Sequence, residues 1–368
     1  METASLAPPF ALDELPDTPA VFVIHAGDAP PYLGRTARLR RRLKRLLDTP
    51  ATPSRFLNLH TLATRVEYTL TPSRLAAHLA FHSTARFHFP DDYLRLTRLR
   101  FPAYVKLLLA NEFPRTQVTT RLSASHALHY GPFRTRAAAE RFEAEMLDLF
   151  QVRRCQEDLV PHSDHPGCIY GEMGRCLRPC QEIVSPAEYR SEVARLSQFI
   201  HSSGESLLTS VRAARDRSAD NLDFEDAQRH HARVQRIEQL LKLRDDLATE
   251  AAHLRGVAVT PSALPGHVEI RFFLDAAWLT PVLFRIAPES SGAMIPLDRR
   301  LREIAESVAP PRLSTRERAE HLALLARWFY SSWRDGEWLS FDSLETLPYR
   351  RLVRALARVA SSSQPSLF

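Results

Sequence analysis

All four cysteines of this 368-residue chain fall in one short stretch, as Cys155, Cys168, Cys176 and Cys180, with the spacing C-x12-C-x7-C-x3-C. A disulfide framework would spread its bridges through a small secreted domain, whereas clustering inside a long chain points to ligation of a metal by thiolates. Four thiolates close in sequence satisfy either a tetrahedral zinc ion or a four-iron four-sulfur cluster, and spacing alone does not choose between them. Four buried free cysteines are the other reading, but those scatter through apolar cores. This stretch is polar and holds His162, His165, Pro166 and Gly167; the two histidines are spare candidate ligands or exposed loop residues.

A second group of residues has the chemistry to grip a phosphodiester. Tyr32 stands near Gly34, which lets a phosphate approach the backbone, and Arg35 follows. A basic segment then supplies Arg38, Arg41, Arg42, Lys44 and Arg45. Guanidinium forks aimed at one spot stabilise charge on phosphate oxygens. Without further support the same residues read as a surface hairpin and a solvated basic helix.

The elements that must position these groups are legible from periodicity. Val21 to Ile24 reads as a buried strand, Gly27-Asp28-Ala29-Pro30-Pro31 as a turn, and Tyr32-Leu33-Gly34 as the start of a second strand. Leu39, Leu43, Leu46 and Leu47 recur at helical spacing. Arg65 to Leu70 alternates as a strand, and Thr71-Pro72 predicts a capped helix through about Arg86. Tyr104 to Leu109 and Gln117 to Arg121 are further strand candidates, and Arg136 to Phe150 is an amphipathic helix. Ser185-Pro186-Ala187-Glu188 is a capping box opening a long helix toward Ala219. A break at Asp220-Asn221 and a restart near Asp223 give a helical hairpin, with Phe224, Ala227, Val234, Ile237 and Leu241 on one stripe. Strands at Val257 to Val259, His267 to Phe273 and Pro281 to Ile286 precede helices around Leu301, Leu322 to Phe329 and Tyr349 to Val359, and the tail from Ser361 reads as disordered.

The length implies two or three domains, and 44% apolar residues suffice to fill their cores. The formal net charge is +6, and of 49 basic residues only Lys44, Lys106 and Lys242 are lysine. Arginine matches phosphate oxygens with a planar fork of donors, so a polyanion partner is plausible. A GC-rich genome produces the same bias along a whole chain. No apolar run reaches the length of a membrane span, and Met1 to Phe10 lacks the pattern of a secretory signal. The expectation is a cytoplasmic protein with no membrane partner.

Ala20-Val21-Phe22, Tyr32-Leu33-Gly34-Arg35-Thr36, Leu39 and Arg42 together resemble the GIY-YIG nuclease motif. The likeness continues through Tyr68 to Phe81, Phe101-Pro102-Ala103-Tyr104-Val105-Lys106, Phe113-Pro114-Arg115 and Tyr130-Gly131-Pro132-Phe133. With Gly174 to Cys180 and Asn221-Leu222-Asp223-Phe224-Glu225, it resembles the first half of the UvrC family over roughly residues 15 to 250. The fold this implies is α+β. A small GIY-YIG α/β domain with a mostly antiparallel sheet is expected over 1–110, and a module with the four-cysteine site over 111–184. A UVR-like helical hairpin over 185–252 and a small α+β domain over 253–368 complete it.

In that family the second motif tyrosine activates water, the helical arginine stabilises phosphate charge, and a glutamate holds a divalent metal. Carried over, these are Tyr32, Arg42 and the position of Phe81. A phenyl ring offers no lone pair to Mg²⁺, Phe22 lacks the first motif hydroxyl, and Arg35 replaces the usual lysine. Cutting is therefore expected to be lost or impaired, with Mg²⁺ or Mn²⁺ needed only if it persists. Arg38, Arg41, Lys44 and Arg45 are the expected DNA contacts. The resemblance tilts the cysteine site toward the four-iron four-sulfur cluster over zinc. It also makes Phe224, Glu225 and Ala227 the expected contacts to a UvrB-type partner, although Gln228, His231 and Ala232 depart from the UVR pattern. An intramolecular hairpin is the bland alternative.

The 82 residues after Ile286 are too few for the RNase H-like nuclease and helix-hairpin-helix modules of a full UvrC, so a second cutting centre is expected to be absent. Trp328, Trp333 and Trp338 read as core anchors. The favoured function is a nucleotide-excision-repair protein that binds DNA and a UvrB-type partner. The alternatives are a working metal-dependent endonuclease and a metal-stapled interaction protein that does not act on DNA.

Overall fold

The computed structural model describes residues 1–5, 12–27, 29–47, 59–123, 126–286 and 296–362; Asp28 of the expected turn and the tail from 363 onward lie outside these. The chain opens with β1 (Glu2–Ser5) and continues into the expected hairpin of β2 (Ala20–Ala26) and β3 (Ala29–Thr36). After α1 (Leu39–Leu47) and α2 (Leu59–Leu62), β4 (Arg65–Leu70) completes an antiparallel sheet in the order β1-β4-β2-β3. The two-residue period of a strand sends Phe22, Ile24, Val66 and Tyr68 to one face, where Leu39, Leu43 and Leu47 cover them. The opposite face receives α3 (Arg74–His88).

The start of α3 differs from the expectation. Its cap is Ser73, whose hydroxyl accepts from the Ala76 amide at 3.0 Å, while the Thr71 amide donates back to the Pro19 carbonyl at 2.9 Å and prolongs the strand pairing. The short α4 (Tyr93–Thr97) follows, too brief to show a helical period in its residues.

A second antiparallel sheet joins β5 (Ala103–Leu108), β6 (Arg115–Thr119) and β7 (Ala127–Phe133), the last also unforeseen, and α5 (Arg136–Leu147) packs on it. The cysteine loop carries only α6 (Ile169–Glu172) and a single 3-10 turn over Pro179–Gln181. The capping box at Ser185 and Glu188 forms as expected and opens α7 (Pro186–His201). That helix does not reach Ala219. It ends at His201, and the chain turns into the next helix through Gly204, held at φ +95°, where a side chain would meet Leu241 at 2.5 Å.

The hairpin proper is α8 (Glu205–Asp220) against α9 (Phe224–Lys242), and β8 (Thr249–Glu250) then joins the edge of β7. The sheet order β6-β5-β7-β8 thus spans residues on both sides of 110 and of 184.

β9 (Gly256–Pro261), β10 (His267–Leu274), β11 (Ala277–Trp278) and β12 (Val282–Arg285) build a third antiparallel sheet. It is completed, after α10 (Leu297–Ser307) and α11 (Thr315–Phe329), by β13 (Glu337–Ser340), and α12 (Tyr349–Ser362) covers it. The fold is α+β, as expected, with every strand pair antiparallel. One core joins distant segments: Leu75 of α3, Tyr104 of β5, Leu247, Phe273 and Leu322, Leu325 and Trp328 of α11. Among the described residues no helix is long and apolar enough to cross a membrane.

Candidate functional site

The nuclease-like residues sit around β3, the edge strand of the first sheet. Tyr32 faces α1, and its hydroxyl accepts from the Arg42 guanidinium at 3.4 Å. Phe22 lies opposite Gly34 and is fully buried, with its ring centre 6.2 Å from that of Tyr32. A methyl group on Gly34 would sit 2.5 Å from the Phe22 ring, so the glycine is what lets the ring lie flat on the strand. Phe22 fills the place of the motif hydroxyl with packing alone.

Arg35 takes the other face of the strand. Its guanidinium carbon lies 5.6 Å from the centre of the Phe81 ring, and Nη1 approaches His78 Nε2 at 3.5 Å. A cation over a π face is attracted by the ring's negative quadrupole, so a positive charge lies against the Phe81 ring, at the position where the sequence lacks the carboxylate of the motif it resembles. Tyr32 with Arg42 and Arg35 with Phe81 therefore form two pairs on opposite faces of one strand. Glu67, a conceivable substitute carboxylate, is engaged instead by His25 at 3.0 Å and Arg65 at 3.2 Å. Asp92 pairs with Arg95 at 3.1 Å.

Of the expected DNA contacts, Arg38, Arg41, Lys44 and Arg45 are all exposed on or beside α1. Lys44 is paired with Asp13 at 2.5 Å, and the Arg41 amide donates to Asp17. A stronger concentration of unpaired charge lies on the α3 face, where sequence periodicity gave no sign of it. Three adjoining cavities share Arg327 of α11 and are lined in turn by Arg35 and Phe81, by Arg74 and His78, and by Arg98, Arg100 and Arg134; the largest has ≈ 660 Å³. Among the described residues Arg35, Arg98, Arg100 and Arg327 make no ion pair. Asp335 lines the same cleft, but its oxygens accept from the Arg74 amide at 2.5 Å and the Trp328 indole at 3.2 Å.

The crowding registers in proton affinities. Burial, then the nearby cations Arg35 and Arg100, push Arg327 below its ordinary value. Burial drives His78 down to about 4, against its bond to the Arg74 carbonyl and aided by Arg327, Arg35 and Arg74. Trp333 is half-buried and packs against the core that holds Trp328. It stacks on His78 with ring centres 4.7 Å apart and lines the cleft, whereas Trp328 is fully buried.

The four cysteines gather in the loop after α5. Cys176 and Cys180 are buried, Cys155 is half-buried, and Cys168 is exposed at the start of α6. Arg153, unremarkable in the sequence, fastens this loop from inside the core. Its Nε donates to the Phe113 carbonyl at 2.8 Å, and its Nη1 donates to the Glu157 carbonyl at 2.9 Å and to the Cys155 sulfur at 3.3 Å. Burial, then the other cysteines' charge, raises the Cys176 thiol to about 11 and raises Cys180 as well.

Among the described residues the cysteines form no group of three with donor atoms within 4.8 Å of one another. That spread exceeds the roughly 3.8 Å that tetrahedral Zn–S bonds of about 2.3 Å impose. His162 is exposed and pairs with Asp164, so it behaves as a loop residue.

The base of the α8–α9 hairpin is buried through Leu207, Leu208, Val211, Val234, Ile237 and Leu240 in the same core as α5 and α7. Its tip is not. Phe224, expected on the packed stripe, is 70% exposed beside Leu222 at 71%, while Glu225 is exposed and Ala227 half-buried.

Residues 103–199 match the family model described as the UvrC/Cho excinuclease middle domain. Three curated relatives are each named UvrABC system protein C. The one from Moorella thermoacetica is 25% identical over 230 residues, 62% of this chain and 37% of its own. That from Acetivibrio thermocellus is 25% identical over 71% of this chain and 42% of its own, and that from Anaeromyxobacter sp. is 28% identical over 66% and 34%. The chain thus spans about 40% of the length of the relatives it matches. No solved structure matches it.

Proposed function

We propose that this UvrC-like chain serves nucleotide excision repair by holding DNA and a UvrB-type partner, not by cutting. The observation that carries the reading is the Arg35 guanidinium resting on the Phe81 ring, inside a cleft where Arg35, Arg98, Arg100 and Arg327 lack carboxylate partners among the described residues. The residues present do not fit Mg²⁺ or Mn²⁺. A hard cation wants oxygen ligands, and this position offers an aromatic ring under a fixed positive charge. The same charge suits a phosphate, which Arg35, Arg98, Arg100 and Arg327 can share through bidentate donors. Trp333, with His78 stacked on it, adds an aromatic wall. Tyr32 and Arg42 supply a further polar edge on the other side of β3.

The choice of a four-iron four-sulfur cluster over zinc for the cysteines is supported by the likeness of Gly174 to Cys180 to the UvrC family. Cys155, Cys168, Cys176 and Cys180 would hold it, and their raised thiol affinities are those a bound cationic cluster reverses. Such a cluster would cross-link a loop that has little regular structure of its own. The exposed Leu222 and Phe224 at the hairpin tip support docking of a second helical hairpin, which would cover them.

The test is binding and incision on lesion-bearing duplex, with UvrA, UvrB and Mg²⁺ or Mn²⁺. The expected result is binding that weakens steeply with salt, without nicking. In Arg35→Ala and Arg327→Ala the salt slope should fall by about one per residue. Efficient nicking that Tyr32→Phe abolishes would overturn the proposal.

A further inference from the structure

We infer that His25, Glu67 and His88 form a binding site for one zinc-class divalent ion that pins the end of α3 to the first sheet. The three residues come from the end of β2, the middle of β4 and the last turn of α3, so only the fold brings them together. His25 Nε2 lies 3.0 Å from Glu67 Oε1 and His88 Nε2 lies 4.0 Å from Oε2, and the donor atoms of all three fall within 4.8 Å of one another. The imidazole rings meet edge to face with centres 5.5 Å apart.

An ordinary histidine–carboxylate pair would align an N–H on an oxygen. Here both Nε2 atoms are shut off from solvent and make no hydrogen bond, although each faces the carboxylate. The His88 side chain is 10% exposed and that of His25 is 18%. Leaving a buried polar atom unpaired is costly, and two such atoms turned on one carboxylate are satisfied together by a cation between them. Bonds of about 2.0–2.2 Å place zinc ligands roughly 3.3 Å apart, so adjustments of up to about 1.5 Å close the site.

The surroundings suit that ion. The Arg65 guanidinium, 3.2 Å from Glu67 Oε1, orients the carboxylate as an outer partner. Phe87 and Phe89 flank His88 as apolar walls. Two imidazoles and one carboxylate leave a fourth position for water and select zinc, cobalt or nickel over magnesium.

The site is not a relocated nuclease metal. His88 lies two helical turns beyond Phe81, roughly 10 Å along the axis. An ion there would instead fix the helix that carries His78 and Phe81 into the arginine cleft, and the inference stands whether or not that cleft binds DNA.

The experiment is zinc titration of the chelator-treated full chain by calorimetry, beside His25→Gln/His88→Gln and Glu67→Gln. Iron content and thiolate-to-cobalt absorption report the cysteine site separately. The double variant should bind one zinc equivalent fewer, with any residual affinity at that site on the order of 100-fold weaker, and unchanged cysteine signals. Should the double variant misfold by circular dichroism, zinc should still raise the Tm of the natural chain and not that of Glu67→Gln. Equal zinc binding by the natural chain and a folded variant, or no zinc beyond the cysteine site, would overturn the inference.

Discussion

The Tyr93 hydroxyl on α4 donates to Oε1 of Glu320 on α11 at 2.5 Å, and that carboxylate is completely buried. His82 of α3 approaches the other oxygen at 3.2 Å, and Arg316 reaches Oε1 at the same distance. Burial alone would raise the Glu320 carboxyl, but His82, Tyr93 and Arg86 hold it below its usual range. One acid thus ties the C-terminal segment to the helix behind the first sheet. Since α11 also delivers Arg327, the same contact shapes the arginine cleft.

Glu320→Ala should destabilise the chain by about 3–5 kcal/mol, because it strands buried polar partners. Urea denaturation measures this. A cycle with Tyr93→Phe should show coupling, and strictly additive effects would contradict the shared role of the two residues.

Gly34→Ala should cost about 1–3 kcal/mol through overpacking against Phe22. The clash is with a side chain and not with the backbone, so Phe22→Val should recover much of the loss. A denaturation series on the two single variants and the double would decide it.

Stability should depend on two neutral histidines. Burial drives His129 and His321 down to about 4, with Lys106 and His82 respectively adding to the effect. Each ring accepts a backbone N–H, from Ser123 at 3.4 Å and from Trp278 at 3.0 Å. Below about pH 6.5 the unfolded chain takes up protons that the folded one refuses. Stability is therefore full above that value and falls as the pH drops toward about 4, by on the order of 1 kcal/mol per unit per histidine. Urea midpoints between pH 7 and 4 test this, and replacing both histidines by Gln should reduce the slope, leaving the share of His78, which burial also drives down to about 4.

Phe224→Asp should leave the Tm within a degree or two, since the ring is 70% exposed. It should weaken binding of a UvrB-type hairpin on the order of 10-fold or more, measured by calorimetry. A normal affinity would place the docking surface elsewhere.

Local chemistry is carried by consecutive residues, so the order of amino acids alone determines it. The period-2 runs form β2 and β4, the leucines from Leu39 to Leu47 form one face of α1, and Ser185 with Glu188 closes its capping box. The cysteine cluster and the loss of a carboxylate at Phe81 are equally plain in the sequence, because each is a matter of residue type at a given spacing.

Helix ends and strand partners depend on contacts far along the chain. Ser73 replaces Thr71 as a cap because Thr71 pairs with Pro19, and the helix from Ser185 ends at His201, before the turn at Gly204 that packs under Leu241. Arg35, the Arg98–Arg100 stretch and Arg327 lie in three unrelated segments, as do His25, Glu67 and His88. No periodicity links such residues. Their convergence is set by how helices and sheets stack to bury apolar area, and that is a property of the packed chain alone.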